Sequence, residues 1–301
     1  MKIKIPLLFV LTILFFSVQG QETDTVKTRI MLLGTGTPFP DPAHAGPAIA
    51  VVYGNRFFLF DAGAGVMRRI RAANLPISGP EATFITHLHS DHTLGYPDLF
   101  LTSWLMRRNK ALQVYGPNGL QRMTDLLLEA YAEDIDIRIN DLEKEKREYL
   151  EVKVHEIKPG VIYDSAGVRI IAIPVLHGEW KEAYGYRINT PDRSIVISGD
   201  TRPSEALVQA SKGVDVLIHE VYASEYLEPE NRPGGEYWPQ YCKEYHTSDI
   251  ELGKIAGQAQ PGLLILNHII RFGAADSVLI TGLRKGGFKG KVMIGKDLDI
   301  F

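Results

Sequence analysis

EATFITHLHSDH, residues 81–92, decides how this chain is read. Its first half is apolar and β-branched, the composition of a buried strand. Its second half puts His87, His89, Asp91 and His92 within six positions. In an extended segment side chains alternate, so His87, His89 and Asp91 share one side while His92 faces elsewhere. One strand end can then serve two metal ions, with imidazole and carboxylate donors.

Further partners come from later strand ends. His177 follows IAIPVL, Asp200 follows SIVISG and His268 follows LLILN. Polar groups at the ends of buried strands converge on one rim held by a rigid sheet. Two metals that each keep a position open for water need about three protein ligands apiece and a shared bridge. Five imidazoles and two carboxylates meet that need. They suit zinc, and equally manganese or iron. The single cysteine, Cys242, excludes an internal disulfide and a cysteine-built zinc site. His155, alone on its strand, reads as a surface residue.

Around these residues strands and helices intermingle. RIMLLGTGTPFP is a buried strand ending in a glycine-rich turn, and AIAVVYGNRFFLFDAG is two strands about a Gly54–Asn55 turn. AGVMRRIRAANL, GLQRMTDLLLEAYAEDI and SDIELGKIAGQA have helical periods, the last capped by Ser248 or Thr247. VRIIAIPVLHG, YGYRINTPDRSIVISGD, VDVLIHEVY and PGLLILNH are further strands, and NDLEKEKREYLE is a solvated charged stretch. GTGTP lacks the lysine and full glycine spacing of a phosphate loop and reads as a structural turn. With 301 residues, 45% apolar, and no linker or internal repeat, the chain fits one α/β domain over residues 21–301.

Residues 1–20 read as a secretory signal peptide. MKIK carries two positive charges, PLLFVLTILFF is too short for a stable membrane span, and SVQG offers small residues before a cleavage near Gly20. The mature protein is then periplasmic or secreted. Loss of Lys2 and Lys4 takes the formal charge from −3 to −5. An acidic chain without a basic run makes nucleic acid an unlikely partner.

HLHSDH, with VLHG, SGDT and LNH, resembles the metallo-β-lactamase superfamily. LLGTGTP, FLFDAGAG, LIHEVY and HTS are similar to its ribonuclease Z-like branch, and the resemblance runs from about Arg29 to the C-terminus. It implies an α/β fold, the metallo-β-lactamase αβ/βα sandwich of two mixed sheets flanked by helices, and a metal-dependent hydrolase of ester bonds with two Zn2+. Carried onto this chain, His87, His89 and His177 hold one zinc. Asp91, His92 and His268 hold the other, and Asp200 bridges. Asp91 stands as proton acceptor beside a shared water. His246 stands as proton donor or phosphoryl contact, and Asp61 and Glu220 orient the site. Members of the branch are often dimers, so a homodimer is admitted.

The chain departs from the tRNA-processing members of that branch. Their long Gly/Pro-rich arm lies between the His and Asp motifs, but His177 and Asp200 here are 23 residues apart. With export and an acidic balance, this points to the secreted arylsulfatase-like members, which hydrolyse small phosphate or sulfate esters. Tyr237 and Trp238, in a tyrosine-rich stretch that also holds Tyr222, Tyr226, Tyr241 and Tyr245, are candidates to wall an aryl slot. Arg271, and behind it Arg202, are candidates to meet an anionic ester. The alternatives are a ribonuclease Z-type endoribonuclease and a lactonase. Seven ligands in place speak against a binding module that kept only the fold.

Overall fold

The computed structural model describes residues 27–301 together with Met1 and Ile3. The leader read in residues 1–20 otherwise lies outside the described residues, and among these no helix is long and apolar enough to cross a membrane. The first half builds β1 (Arg29–Gly34), β2 (Ala48–Tyr53), β3 (Arg56–Phe60), α1 (Val66–Ala72), β4 (Ala82–Phe84), α2 (Ser90–Thr93), α3 (Tyr96–Leu105), β5 (Leu112–Gly116), α4 (Leu120–Ala130), α5 (Ala132–Asn140), α6 (Arg147–Leu150) and β6 (Val152–Glu156). The second half builds β7 (Gly160–Ser165), β8 (Val168–Pro174), β9 (Tyr184–Asn189), β10 (Ser194–Ile197), α7 (Glu205–Ser211), β11 (Val216–Tyr222), α8 (Trp238–Tyr245), α9 (Asp249–Ala259), β12 (Leu263–Ile270), α10 (Asp276–Lys285) and β13 (Val292–Ile294).

Each half is one mixed sheet. The first has the order β1-β2-β3-β4-β5-β6, antiparallel to β3 and parallel beyond. The second has the order β13-β12-β11-β10-β9-β8-β7, parallel from β13 to β10 and antiparallel after. Strand alternation sorts the apolar side chains into layers. Ile30 and Leu32 enter a core between the sheets with Phe60, Phe84, Tyr186 and Ile218. Met31 and Leu33 face the other way, with Val66, Leu99 and Trp104 from α1 and α3. Leu217 and Leu266 pack outward against Leu207, Leu252 and Leu283 from α7, α9 and α10. The result is helices, sheet, sheet, helices, as the sequence led one to expect.

Local chemistry explains several elements. Tyr53 pairs with Arg56 around the two-residue turn, where Gly54 takes φ 65°. Ser248 caps α9 in a reciprocal box with Glu251. The single helix expected over residues 119–135 is two helices, which break at Tyr131.

Four glycines let the loops beneath the candidate site stack backbone on backbone. A Cβ at Gly34 would lie 2.0 Å from Gly46 O, one at Gly63 2.4 Å from Gly46 C, and one at Gly95 2.1 Å from Gly63 O. Asp297, near the C-terminus, fastens the same region. Its carboxylate accepts from Thr35 N (2.9 Å), Thr35 Oγ1 (2.8 Å) and Ala45 N (2.8 Å), and pairs with Arg69 at 3.0 Å. GTGTP is thus a structural turn.

These contacts predict opposite effects for two substitutions. Gly95→Ala should cost about 3 kcal/mol, because backbone rather than a side chain blocks the new methyl. Gly257→Ala, inside α9 with its nearest neighbour 3.8 Å away, should gain about 0.5–1 kcal/mol. Urea denaturation of both variants checks the contrast.

Candidate metal centre

Past the end of β4 the chain continues through Thr86 into His87. Thr86 N and Oγ1 donate to Asp61 at 2.8 and 3.0 Å. Asp61 follows β3 in the left-handed region, φ 59°, which aspartate tolerates better than most residues. Its other oxygen accepts from His92 Nδ1 at 2.8 Å. His89 occupies the N-cap of α2, and Asp91 and His92 ride on that helical turn. Strand alternation therefore does not extend past His89; a helical turn aims Asp91 and His92 instead. His268 also departs from expectation, since it lies inside β12 rather than at its end. The β11–β12 register slips between His219 and Val221, and His268 takes φ 45°, a kink that turns its side chain to the rim.

The structure brings all seven candidate donors together. His89 Nδ1 lies 2.9 Å from His87 Nε2 and 3.0 Å from His177 Nε2. Asp200 belongs with these three, all donor atoms within 4.8 Å of one another, and Asp91, His92 and His268 form a second such group. Asp200 Oδ2 also reaches the second group, 3.3 Å from His92 Nε2 and 3.6 Å from His268 Nε2. His268 Nε2 is 3.2 Å from Asp91 Oδ2.

The donor set fits divalent metal. His87 Nδ1 is held by Thr86 Oγ1 at 2.9 Å and His177 Nδ1 donates to Tyr245 O at 2.7 Å, which leaves both Nε2 lone pairs facing inward. His92 Nε2 is buried and makes no hydrogen bond. One detail adjusts. Trp180 Nε1–H donates to His89 Nε2 at 2.9 Å, which places the proton of a neutral His89 on Nδ1. A cation at Nδ1 would place that proton on Nε2, against the indole N–H, so this hydrogen bond would have to break.

Electrostatics differ between the two groups. Burial holds His87 well below the usual histidine range and pushes His177 down to about 4. Burial also works against charge on His92, but Asp200 and Asp61 outweigh it and raise His92 well above its ordinary value. His268 is raised against burial by Asp200 and by its bond to Asp91. Asp200 stays well below the carboxylate range despite burial, because His268 and His92 favour its charge. A metal ion in the second group therefore competes with protons.

The cluster floors a cavity of about 830 Å³, open to Trp238, Tyr241, Arg271 and His246. His246 is buried, its ring 6.1 Å from that of His268 and its Nδ1 3.3 Å from Glu220 Oε1. Glu220 Oε1 accepts from Thr201 N and Thr247 N, each at 3.1 Å. Burial lowers His246 to about 4 and raises Glu220 well above the carboxylate range. Of the expected substrate contacts, Trp238 and Arg271 line the cavity. Tyr237 does not: it points to solvent, 66% exposed. Arg202 bridges to Leu176 outside the cavity, and Tyr222 is buried. The sequence reading missed Asp297, Trp180 and Phe39; only the PFPDP run around Phe39, an apolar residue among prolines, could have marked one of them.

The family model described as Beta-lactamase superfamily domain matches residues 56–269. The chain belongs to the β-lactamase superfamily. Ribonuclease Z of Mycobacterium bovis (strain BCG / Pasteur 1173P2) is 33% identical over 279 residues, covering 90% of this chain and 96% of that protein. Ribonuclease Z of Mycobacterium sp. (strain KMS) is 35% identical over 249 residues, covering 80% and 84%. The fold is shared with the metallo-β-lactamase fold protein YhfI from Bacillus subtilis (TM-score 0.68, 19% identity, 91% and 98% covered). It is shared too with the short form of human tRNase Z (TM-score 0.67, 20% identity, 91% and 98% covered). This superfamily member is a metal-dependent hydrolase of ester bonds on the ribonuclease Z-like branch.

These relatives overturn two expectations: the arylsulfatase-like activity on a small ester, and the exclusion of nucleic acid. The short His177–Asp200 connection does not separate this chain from them. The match to the mycobacterial ribonuclease covers 90% of this chain and 96% of that protein despite the short connection. Formal charge was a poor guide because it counts neither bound cations nor where charge lies.

The two groups should lose metal at different pH. Acid puts protons back on His92 and His268, whereas His87 and His177 are already neutral and release none. Dialysis followed by metal analysis should find two ions per chain near pH 8 and about one near pH 6. Equal loss from both groups would contradict the charge assignment.

Proposed function

We propose that the protein is a ribonuclease Z-type endoribonuclease that cleaves an RNA phosphodiester, as in tRNA 3′ processing, with two zinc ions. The observation that carries this reading is His246 on the wall of a cavity that four of the seven metal donors line, His89, Asp91, Asp200 and His268, with Glu220 Oε1 behind it 3.3 Å from its Nδ1. The mycobacterial proteins named ribonuclease Z support it.

In this reading His87, His89 and His177 would hold one zinc and Asp91, His92 and His268 the other, with Asp200 beside both groups. Bound there, the metal would supply a nucleophile at neutral pH and offset charge on phosphoryl oxygens. Asp91, kept below the usual carboxylate range against burial by its bond to His268, is ionised and accepts a proton from the attacking water. Burial keeps both His246 and Glu220 uncharged. In this reading a ring N–H of His246, on the cavity wall, hydrogen-bonds the leaving oxygen as its negative charge grows, and water in the cavity completes its protonation. Asp61 keeps His92 in place through Nδ1.

Metal-loaded wild-type protein should cleave an RNA hairpin with a 3′ extension, and chelation should abolish cleavage. His246→Ala should lower kcat by about 10²–10⁴ while metal content holds. A wild-type protein that binds two ions and leaves RNA intact sinks the reading. Export is also proposed, on residues 1–20 alone. Sequencing the mature N-terminus should begin near Gln21, and recovery of Met1 in the cytosolic fraction would contradict it.

A further inference from the structure

Phe39 is the one exposed large apolar side chain, among the described residues, that lines the cavity; 76% of it is open to solvent. Its setting is rigid. Pro38, Pro40 and Pro42 preset the backbone of this short segment. Its base is bolted down, with Thr35 on Asp297 and Gly36 N bonded to Ala45 O at 2.8 Å. The phenyl ring pairs with no aromatic ring or guanidinium among the described residues. An apolar ring held out in water by a stiff loop contributes nothing to the fold.

The facing wall is different. Trp238 stacks on Tyr241 (centroids 5.1 Å apart, planes at 8°), and the Arg232 guanidinium lies 5.8 Å over its ring. Trp238 thus already has an aromatic and a guanidinium partner, and it is half-buried. Arg232 and Arg271 are each paired to a carboxylate, Glu230 and Asp276, so neither brings unmatched charge into the cavity. The free recognition surface beside the metal cluster is aromatic rather than cationic.

We propose that Phe39 is the platform on which an unpaired nucleobase stacks next to the scissile phosphodiester, so that the cavity admits RNA as a single strand. This inference rests on the ribonuclease reading. Every base has a π-face, so stacking on a phenyl ring holds a strand with little regard to sequence. A base inside a duplex has both faces covered and cannot use the platform. Phe39 therefore sets the structural form of the substrate, while the metal cluster sets the bond.

Cleavage kinetics of an RNA hairpin with a short 3′ single strand test this on the metal-loaded full chain. Phe39→Leu should raise KM about tenfold. Phe39→Trp should return KM to the wild-type value, because it restores an aromatic face. Phe39 is exposed and packs into no core, so both variants keep the fold. A Phe39→Leu enzyme with wild-type KM, beside a wild-type enzyme that cleaves the hairpin, overturns the platform alone. A wild-type enzyme that does not cleave it overturns the ribonuclease reading and the platform with it.

Discussion

The site depends on one buried carboxylate. Asp61 would be costly inside the protein without partners, and it has three: Thr86 N, Thr86 Oγ1 and His92 Nδ1. Backbone bonds zip the same segments together, from Asp61 N to Phe84 O, Ala62 N to His92 O and Gly95 N to Ala62 O, each 2.9 Å. The glycine stack makes that approach sterically allowed. The end of β3 and the ligand segment after β4 therefore behave as one block. The second sheet brings His177, Asp200 and His268 to it. Tyr186 Oη donates to Ile85 O at 2.6 Å and Tyr184 N to Thr86 O at 2.9 Å, so the two halves meet in a fixed register at the ligands themselves.

The substrate wall is tied into the same frame. Tyr245, at the end of α8, uses its carbonyl to orient His177, and its ring packs so closely on Gly178 that a Cβ there would lie 1.9 Å from it. Tyr241 stacks on Tyr245 at 4.3 Å, and Trp238 on Tyr241, which carries the aromatic row from a metal donor to the cavity wall. Glu220 lies against His246, Oε1 3.3 Å from Nδ1, while accepting from two backbone amides that fix the turns at Thr201 and Thr247. Movement of the wall would thus be felt at the donors.

The seven donors were legible in the sequence because histidine and aspartate at the ends of apolar runs are rare outside metal sites. Two of the geometric reasons given for them were not. Asp91 is aimed by a one-turn helix, and His268 by a slipped register, and neither leaves a periodic trace. The break at Tyr131 and the helix over Tyr96–Leu105 escaped because tertiary packing, not period, decides them. Asp297 was invisible because its partners lie some 250 residues away in the chain. The substrate was misread for a different reason. A short loop and a net charge argue weakly against RNA, because a cleft lined by metal donors would carry its positive charge in bound ions.

The central claim is that one cluster holds two ions with Asp200 between them. Anomalous scattering at the zinc edge, from crystals of the metal-loaded protein, tests it most directly. The account predicts two peaks, one among His87, His89 and His177 and one among Asp91, His92 and His268, with Asp200 in contact with both. A single peak, or a second peak away from these residues, would contradict it.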